Sequence, residues 1–369
     1  MKIAHLLVTG GWGGAEGLAC ALARQAELEG HSVSVDAAPR AQPGLRGQSF
    51  AGAGDEATLF SWARGARRRL QAFAPDLVHV HLSTPAFAAT ALCAARGFPS
   101  LVSLHLLPEN RWPRDFLTRL PSKWMLLLGA KIPPCWRLVV VSQTDQRLLR
   151  RAFGADVQVV LNAPYPVQPG SRDDSAEAFA GATLKLLCVG RLEPQKGLDR
   201  LLEALAPVAR SLDFRLLVVG EGQQRAELMA LRDRLGLGSR VHFLGACAWR
   251  AAGRQADLLL FPSRYEGMPL VPMEGVLAGC PVVLSSIPPH QELFSGIPDA
   301  LLPEEVGAWP AVLQGLLSDA ERRERLQITQ RALAPRFGFA RMWGEYLTQY
   351  SEVLERAAAP RAARALKAR

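Results

Sequence analysis

The sequence predicts an α/β protein of two Rossmann-like domains facing one another across a cleft. Three observations carry that expectation. Short apolar runs alternate with alanine- and leucine-rich runs of helical length. The strand-like runs are hydrophobic nearly throughout, as in parallel strands covered on both faces. The series also starts twice, with a polar stretch at Val167–Gly181 between the two halves. A chain of 369 residues has room for two complete cores.

In order, the first half offers strands at Ile3–Val8, Ser32–Val35, Leu77–His81, Leu101–Leu104, Leu138–Val141 and Val157–Leu161. Helical runs such as Glu16–Leu28 and Phe87–Ala95 separate them, and glycine-rich Ala41–Asp55 reads as a loop. The second half offers Leu184–Val189, Phe214–Val219, Val241–Leu244, Asp257–Phe261 and Val282–Leu284. The expected domains are residues 1–166 and 182–340. A helix over 341–358 either packs across both domains or completes the second, and residues 359–369 form a basic tail.

Composition narrows the class. Hydrophobic residues make up 49% of the chain, beside 32 Gly and 26 Pro, which fits a globular enzyme and excludes a disordered protein. The six cysteines stand singly with no Cys-x-x-Cys, so neither a zinc site nor a disulfide framework is expected, and a reducing cytoplasm is. The apolar run before Thr9 is too short for a leader and reads as the first strand. No segment has the length of a transmembrane helix.

Net charge is +9, and its placement matters. Residues 1–181 carry 19 Lys+Arg against 14 Asp+Glu, and residues 356–369 carry five basic residues and no acid. Without aromatic stacking motifs this does not indicate nucleic acid; an anionic membrane surface or a phosphorylated acceptor accounts for it equally well. The segment Arg111–Leu128 mixes cations with Trp and Leu. It reads either as a helix lying on anionic lipid, at the inner face of a cytoplasmic membrane, or as a helix covering the first sheet; Pro121 interrupts any long amphipathic face.

The stretch Tyr265–Glu274 is the most informative. It follows an apolar strand, places Glu266 on a loop, and puts Pro272 and Glu274 in the first turn of a helix that Gly279 ends. A helix opening at the carboxyl end of a parallel strand presents free N–H groups to an anion such as a diphosphate. The two carboxylates can accept hydrogen bonds from a polyol. Gly190, Arg191, Lys196 and Gly197 leave another strand, and two cations there suit a diphosphate.

In the first half, the cluster Gly10–Gly14 precedes a helix and can admit a phosphate or sugar, with Gly13 and Gly14 nearest the helix. It is not a proper Gly-x-Gly-x-x-Gly, since Glu16 sits where the third glycine belongs; Asp36 is placed for a dinucleotide's ribose. His105 ends a strand and is the histidine expected to act, pointing into the cleft. His5, His79, His81 and His242 read as core or edge residues, and His31 and His290 as loop residues.

Together these residues resemble the family 4 glycosyltransferases. Gly190-Arg191, Lys196-Gly197 and Glu266-Gly267-Met268-Pro269 through Glu274 look like the family's donor-site signature. The likeness extends to Gly220-Glu221-Gly222, Ala278–Val283, Gly13–Glu16, Asp76–His81, His105 and Val139–Ser142. It implies the GT-B fold and retention of anomeric configuration. It also implies that Arg191 and Lys196 hold the donor diphosphate and that Glu274 binds the ribose. Glu266 would contact the transferred sugar, with backbone N–H groups of Gly267, Met268, Leu270 and Val271 around it and Pro269 shaping the loop. His105 would line the sugar site and the Gly13-Gly14 loop would approach phosphate or acceptor. No metal or other cofactor is expected, in keeping with the missing Asp-x-Asp. The family usually shows Asn-Gly where this chain has Asn162-Ala163, and often Asp where it has Leu106.

The function expected is transfer of a sugar from a nucleotide-sugar to a glycan or lipid-linked acceptor, in cell-envelope or exopolysaccharide synthesis. The alternatives are a nucleotide-sugar epimerase or hydrolase of the same fold, or a non-catalytic membrane- or nucleic-acid-binding protein.

Overall fold

The fold comes from a computed structural model, which describes residues 1–8, 14–37, 59–82, 88–105, 136–153, 156–165 and 175–367. The chain divides into two compact units, Met1–Pro166 with Phe339–Arg369, and Val167–Gly338. Each unit is built on a six-stranded sheet.

The first sheet holds β1 Lys2–Val8, β2 Ser32–Ala37, β3 Leu77–Leu82, β4 Ser100–Leu104, β5 Trp136–Val140 and β6 Val157–Val159, in the order β2-β1-β3-β4-β5-β6. The second holds β7 Lys185–Val189, β8 Arg215–Val219, β9 Val241–Gly245, β10 Leu258–Phe261, β11 Val282–Ser285 and β12 Leu301–Leu302, in the order β12-β11-β10-β7-β8-β9. Neighbours are parallel in both. Each sheet reverses its order of growth beside its first strand, between β1 and β3 and between β7 and β10. Ligands of open parallel sheets bind outside the carboxyl ends at such a point. The eleven expected strands form within one or two residues at most ends. The two-residue β12 is too short to leave a hydrophobic pattern.

The first sheet buries both faces. Ala4, Leu6, Val80, Leu82 and Val102 pack with Trp62, Ala66 and Ala91 of the helices Leu59–Phe73 and Ala88–Ala95. On the other face Ile3, Leu77 and Leu101 meet Leu18 and Leu22 of the helix Gly14–Leu28. Met342, Trp343, Tyr346, Tyr350 and Val353 complete that second cluster. Their spacing of three and four puts them on one stripe of a helix. The terminal helix therefore belongs to the first unit. It runs Phe339–Lys367, beyond the 341–358 expected, and takes in most of the stretch read as a tail. The polar stretch expected as a linker also differs: Ser175–Phe179 is a 3-10 turn of the second unit, with Phe179 buried and Ser175 Oγ accepting from the Ala252 N–H at 3.1 Å.

The loop Ala41–Asp55, the segment Arg111–Leu128 and the glycines Gly10 to Gly13 lie outside the described residues. Among the described residues no helix is long and apolar enough to cross a membrane.

Candidate active site

The second unit's switch point gathers the loops after β7 and β10. Leaving β7, the chain turns at Gly190 and passes through the 3-10 turn Pro194–Lys196 to Gly197, which is left-handed at φ 67° and starts the helix Leu198–Val208. A Cβ on Gly197 would overlap the Pro262 carbonyl oxygen. Close approach of the two loops therefore demands glycine. Gly197→Ala is expected to lower stability by about 1–3 kcal/mol or more through steric overlap and strain at positive φ. A drop in thermal midpoint measures this; an unchanged midpoint would show that the loops are not held this close. Gly220, after β8, sits at φ 144° with the Gly190 carbonyl where its Cβ would go.

Lys196 reaches across to β10's loop. Its Nζ lies 2.6 Å from Glu266 Oε1 and 4.9 Å from the centre of the Phe261 ring. The Glu266 side chain is 8% exposed, so this pair is largely shielded from water. Gln195 supports it from below, donating to the Tyr265 carbonyl at 3.0 Å and to Glu266 Oε2 at 3.4 Å. Arg264 clamps the same two loops, with both Nη groups on the Asp199 carboxylate at 2.7 and 2.5 Å. That pairing holds the Asp199 carboxyl below its ordinary range, against the opposing effect of burial. Gly190, Arg191, Leu192, Lys196, Phe261 and Pro262 line a recess here.

Arg191 is half exposed and turned onto its own loop, with Nη1 2.7 Å from Glu193 Oε1 and Nη2 3.2 Å from Gln195 Oε1. An exposed pair of that kind contributes little, so the guanidinium is free to exchange partners.

The helix after β10 begins at Leu270 and ends at left-handed Gly279, with Pro269 as an N-cap that makes no side-chain cap bond. Gly267, Met268 and Pro269 are buried, and Leu270 and Val271 are partly exposed. Pro272 is the third helical residue, where an N–H would lack an intrahelical partner anyway. Glu274 is the fifth residue, not in the first turn as its spacing from Pro272 led one to expect. It stands 4.0 Å from Arg250 Nη2, at the start of the helix Arg250–Gln255 that follows β9. Burial raises the Glu274 carboxyl pKa and Arg250 opposes that.

His290 is not a loop residue. It is buried in the helix Pro288–Leu293, where its Nδ1 donates to the Ser285 carbonyl at 2.8 Å. Its Nε2 is then a lone pair without a partner. Burial pushes its pKa down to about 4. Gln195, Arg250 and Arg264 were also missed: their partners come from other strands' loops, so no local spacing marks them.

In the first unit, Gly14 opens the helix Gly14–Leu28, while Gly13 lies outside the described residues. Asp36 is occupied: it accepts from Trp62 Nε1 at 2.8 Å and from Arg69 Nε at 2.6 Å, which removes it as a ribose ligand. His105 follows β4 directly and is buried, with its Nε2 3.2 Å from His81 Nδ1. Burial lowers its pKa to about 4, so the ring is neutral.

Two family models cover most of the chain: "Glycosyltransferase Family 4" over residues 12–163 and "Glycosyl transferases group 1" over residues 183–319. D-inositol 3-phosphate glycosyltransferase of Segniliparus rotundus is 31% identical over 242 residues, which are 59% of this chain and 52% of that protein. The chain thus spans about half the length of that relative. 2-Deoxystreptamine glucosyltransferase of Streptomyces kanamyceticus is 28% identical over 321 residues, covering 78% of this chain and 79% of that one. Among solved structures, Anabaena HepE in complex with UDP-glucose superposes with a TM-score of 0.76 at 22% identity, covering 96% of this chain and 99% of the other. Sucrose-phosphate synthase from Thermosynechococcus elongatus gives 0.75 at 20% identity, covering 96% and 99%.

Two parallel-sheet units of this kind, matched along nearly their whole length by such structures, have the GT-B architecture. The chain belongs to glycosyltransferase family 4.

Proposed function

We propose that the protein is a retaining glycosyltransferase that moves a sugar from a nucleotide-sugar donor to a glycan or lipid-linked acceptor. The observation that carries the reading is the shielded Lys196–Glu266 pair at the β7/β10 switch point, next to an uncapped helix start. Departure of a nucleoside diphosphate builds negative charge on phosphate. Lys196, Arg191 and the N–H groups of Leu270 and Val271 are the groups to stabilise it. Once Lys196 turns to phosphate, Glu266 is released to accept hydrogen bonds from the sugar's hydroxyls. Glu274 accepts from the ribose diol. His105, as a neutral ring, hydrogen-bonds a hydroxyl of the transferred sugar.

The HepE complexes, with UDP and with UDP-glucose, support a uridine-diphosphate donor. Relatives in amylovoran and lipopolysaccharide synthesis support an envelope or exopolysaccharide acceptor. The excess of basic residues in the first half fits an acceptor held at an anionic surface.

Calorimetric titration with UDP-, GDP- and ADP-hexoses tests the donor half. One of them is expected to bind, and Glu274→Ala to weaken it about 10- to 100-fold, the usual loss for a charged hydrogen bond. Affinity unchanged in Glu274→Ala would remove the ribose assignment. Labelled donor consumed without acceptor would instead favour hydrolysis or epimerisation.

A further inference from the structure

Among the described residues, Glu274 is a mostly shielded carboxylate that no hydrogen bond holds. Its side chain is 17% exposed, and its one ion-pair partner is Arg250, with Nη2 standing 4.0 Å from Oε1. That separation is too long for a hydrogen bond, so the pairing acts through charge and leaves the carboxylate lone pairs open. A carboxyl group taken out of water without hydrogen bonds favours its neutral form. Burial does raise the Glu274 pKa, and Arg250 opposes it. An acceptor for a diol needs both properties at once: a negative charge, and lone pairs not already spent within the protein.

Arg250 is held in place by the packing of its backbone. It is the first residue of the helix Arg250–Gln255, whose N-cap Trp249 makes no side-chain cap bond. Ser175 takes that part from the 3-10 turn Ser175–Phe179, its Oγ accepting from the Ala252 N–H at 3.1 Å. One turn along, a Cβ on Gly253 would come within 3.7 Å of Ala278 Cβ and 3.0 Å of the Trp249 ring. The helix therefore lies close against Leu270–Ala278. Arg250 precedes Gly253 by three residues and Glu274 precedes Ala278 by four, the spacings that keep side chains on one helix face. The two helices thus run in the same direction along a single seam, and the charged pair is its first contact.

No other charge takes this place. The helix Leu270–Ala278 packs also against β10 and β11, which carry no charged side chain, against the helix Ala320–Arg331 and against the 3-10 turn Ala334–Phe337. The charged residues of the last two are Glu321 to Arg325, Arg331 and Arg336, and the helix Arg250–Gln255 adds Arg254. Arg250 alone among them acts on the Glu274 carboxyl.

We propose that Arg250 is a positioning residue for the donor: without touching the nucleotide, it keeps Glu274 ionised and its oxygens open to the ribose diol. The inference rests on the reading of Glu274 as the ribose ligand.

Calorimetric titration with UDP-glucose, GDP-mannose and ADP-glucose in steps from pH 8 to pH 5.5 tests it. The phosphates of such donors are diesters that do not titrate in that range, so an acid limb belongs to the protein. For the tightest binder of the three, Arg250→Ala is expected to raise Kd about two- to fivefold at pH 8, the scale of a partly exposed ion pair, and by more at each step downward. With the cation gone the carboxyl takes up its proton at higher pH, and a protonated carboxyl is a weaker acceptor. Arg250→Lys should restore the wild-type profile. Added to Glu274→Ala, Arg250→Ala should cost nothing further at any pH, because its route to the nucleotide has gone. Equal losses from Arg250→Ala with and without Glu274 would show that the guanidinium binds the nucleotide itself, and would overturn the inference alone. A pH profile of Arg250→Ala parallel to the wild type's would do the same. Undiminished binding in Glu274→Ala would remove the ribose reading along with the inference, and binding of none of the three donors would remove the donor reading as well.

Discussion

Replacing Lys196 with alanine is expected to lower kcat/KM for the donor by about a hundredfold or more, the scale seen when one charge-stabilising group is removed from a transition state. The ammonium acts at close range, since its present partner is 2.6 Å away and both side chains are mostly shielded. Its removal also strands Glu266 as a buried carboxylate. Breaking such a pair by deleting one member costs about 3–5 kcal/mol, so the variant should melt earlier as well. The double variant Lys196→Ala with Glu266→Gln separates the two effects. It should recover thermal stability while remaining catalytically poor. Recovery of kcat/KM in the double variant, or a loss below about threefold in the single one, would mean that Lys196 serves the fold rather than the diphosphate.

Acidification is expected to unfold the first unit well above the pH at which surface carboxylates alone would matter. His5 is held at about 3 and His105 at about 4, chiefly by burial. His79 and His81 are pushed well below the ordinary value of 6.5, again chiefly by burial, then by His5 and His105 for His79 and by His79, His5 and His105 for His81. In the unfolded chain each imidazole takes up a proton as pH falls through 6.5, whereas in the folded chain it does not until the lower value is reached. The contribution to stability is therefore complete above pH 6.5 and declines as pH falls toward 4. Each histidine removes about 1.4 kcal/mol per pH unit in that window. Four such rings in one unit draw together on a typical reserve of about 5–15 kcal/mol, so the first unit is expected to lose stability progressively as pH falls below 6.5. Urea unfolding followed by far-UV circular dichroism at pH 7.5, 6 and 5 measures this. A midpoint that stays level across the series would show that these rings are hydrated in solution.

Much of the chain was legible before any coordinates. Parallel strands leave continuous apolar runs, which is why eleven of the twelve were found, and Gly279 and Pro272 marked the ends of the helix that holds Glu274. The terminal helix was visible as a helix but not as a part of the first unit. Its stripe of Trp343, Tyr346 and Tyr350 says that it must be buried, without saying under which sheet. Glu274 was placed a turn too early, because Pro272 is tolerated anywhere in the first turn and does not mark its first residue.

By itself the sequence marked the candidates for the chemistry: two cations after one strand, two acids after another, and a histidine at the end of a third. Only the tertiary structure decided which of them meet. Lys196 and Glu266 are 70 residues apart and come together because β10 lies beside β7, a fact of sheet order. His5, His81 and His105 meet for the same reason, since β1, β3 and β4 are neighbours. Strand pairing is made by backbone hydrogen bonds that every residue except proline can offer in full, so side-chain pattern specifies the strands while leaving their order to the packing of the whole.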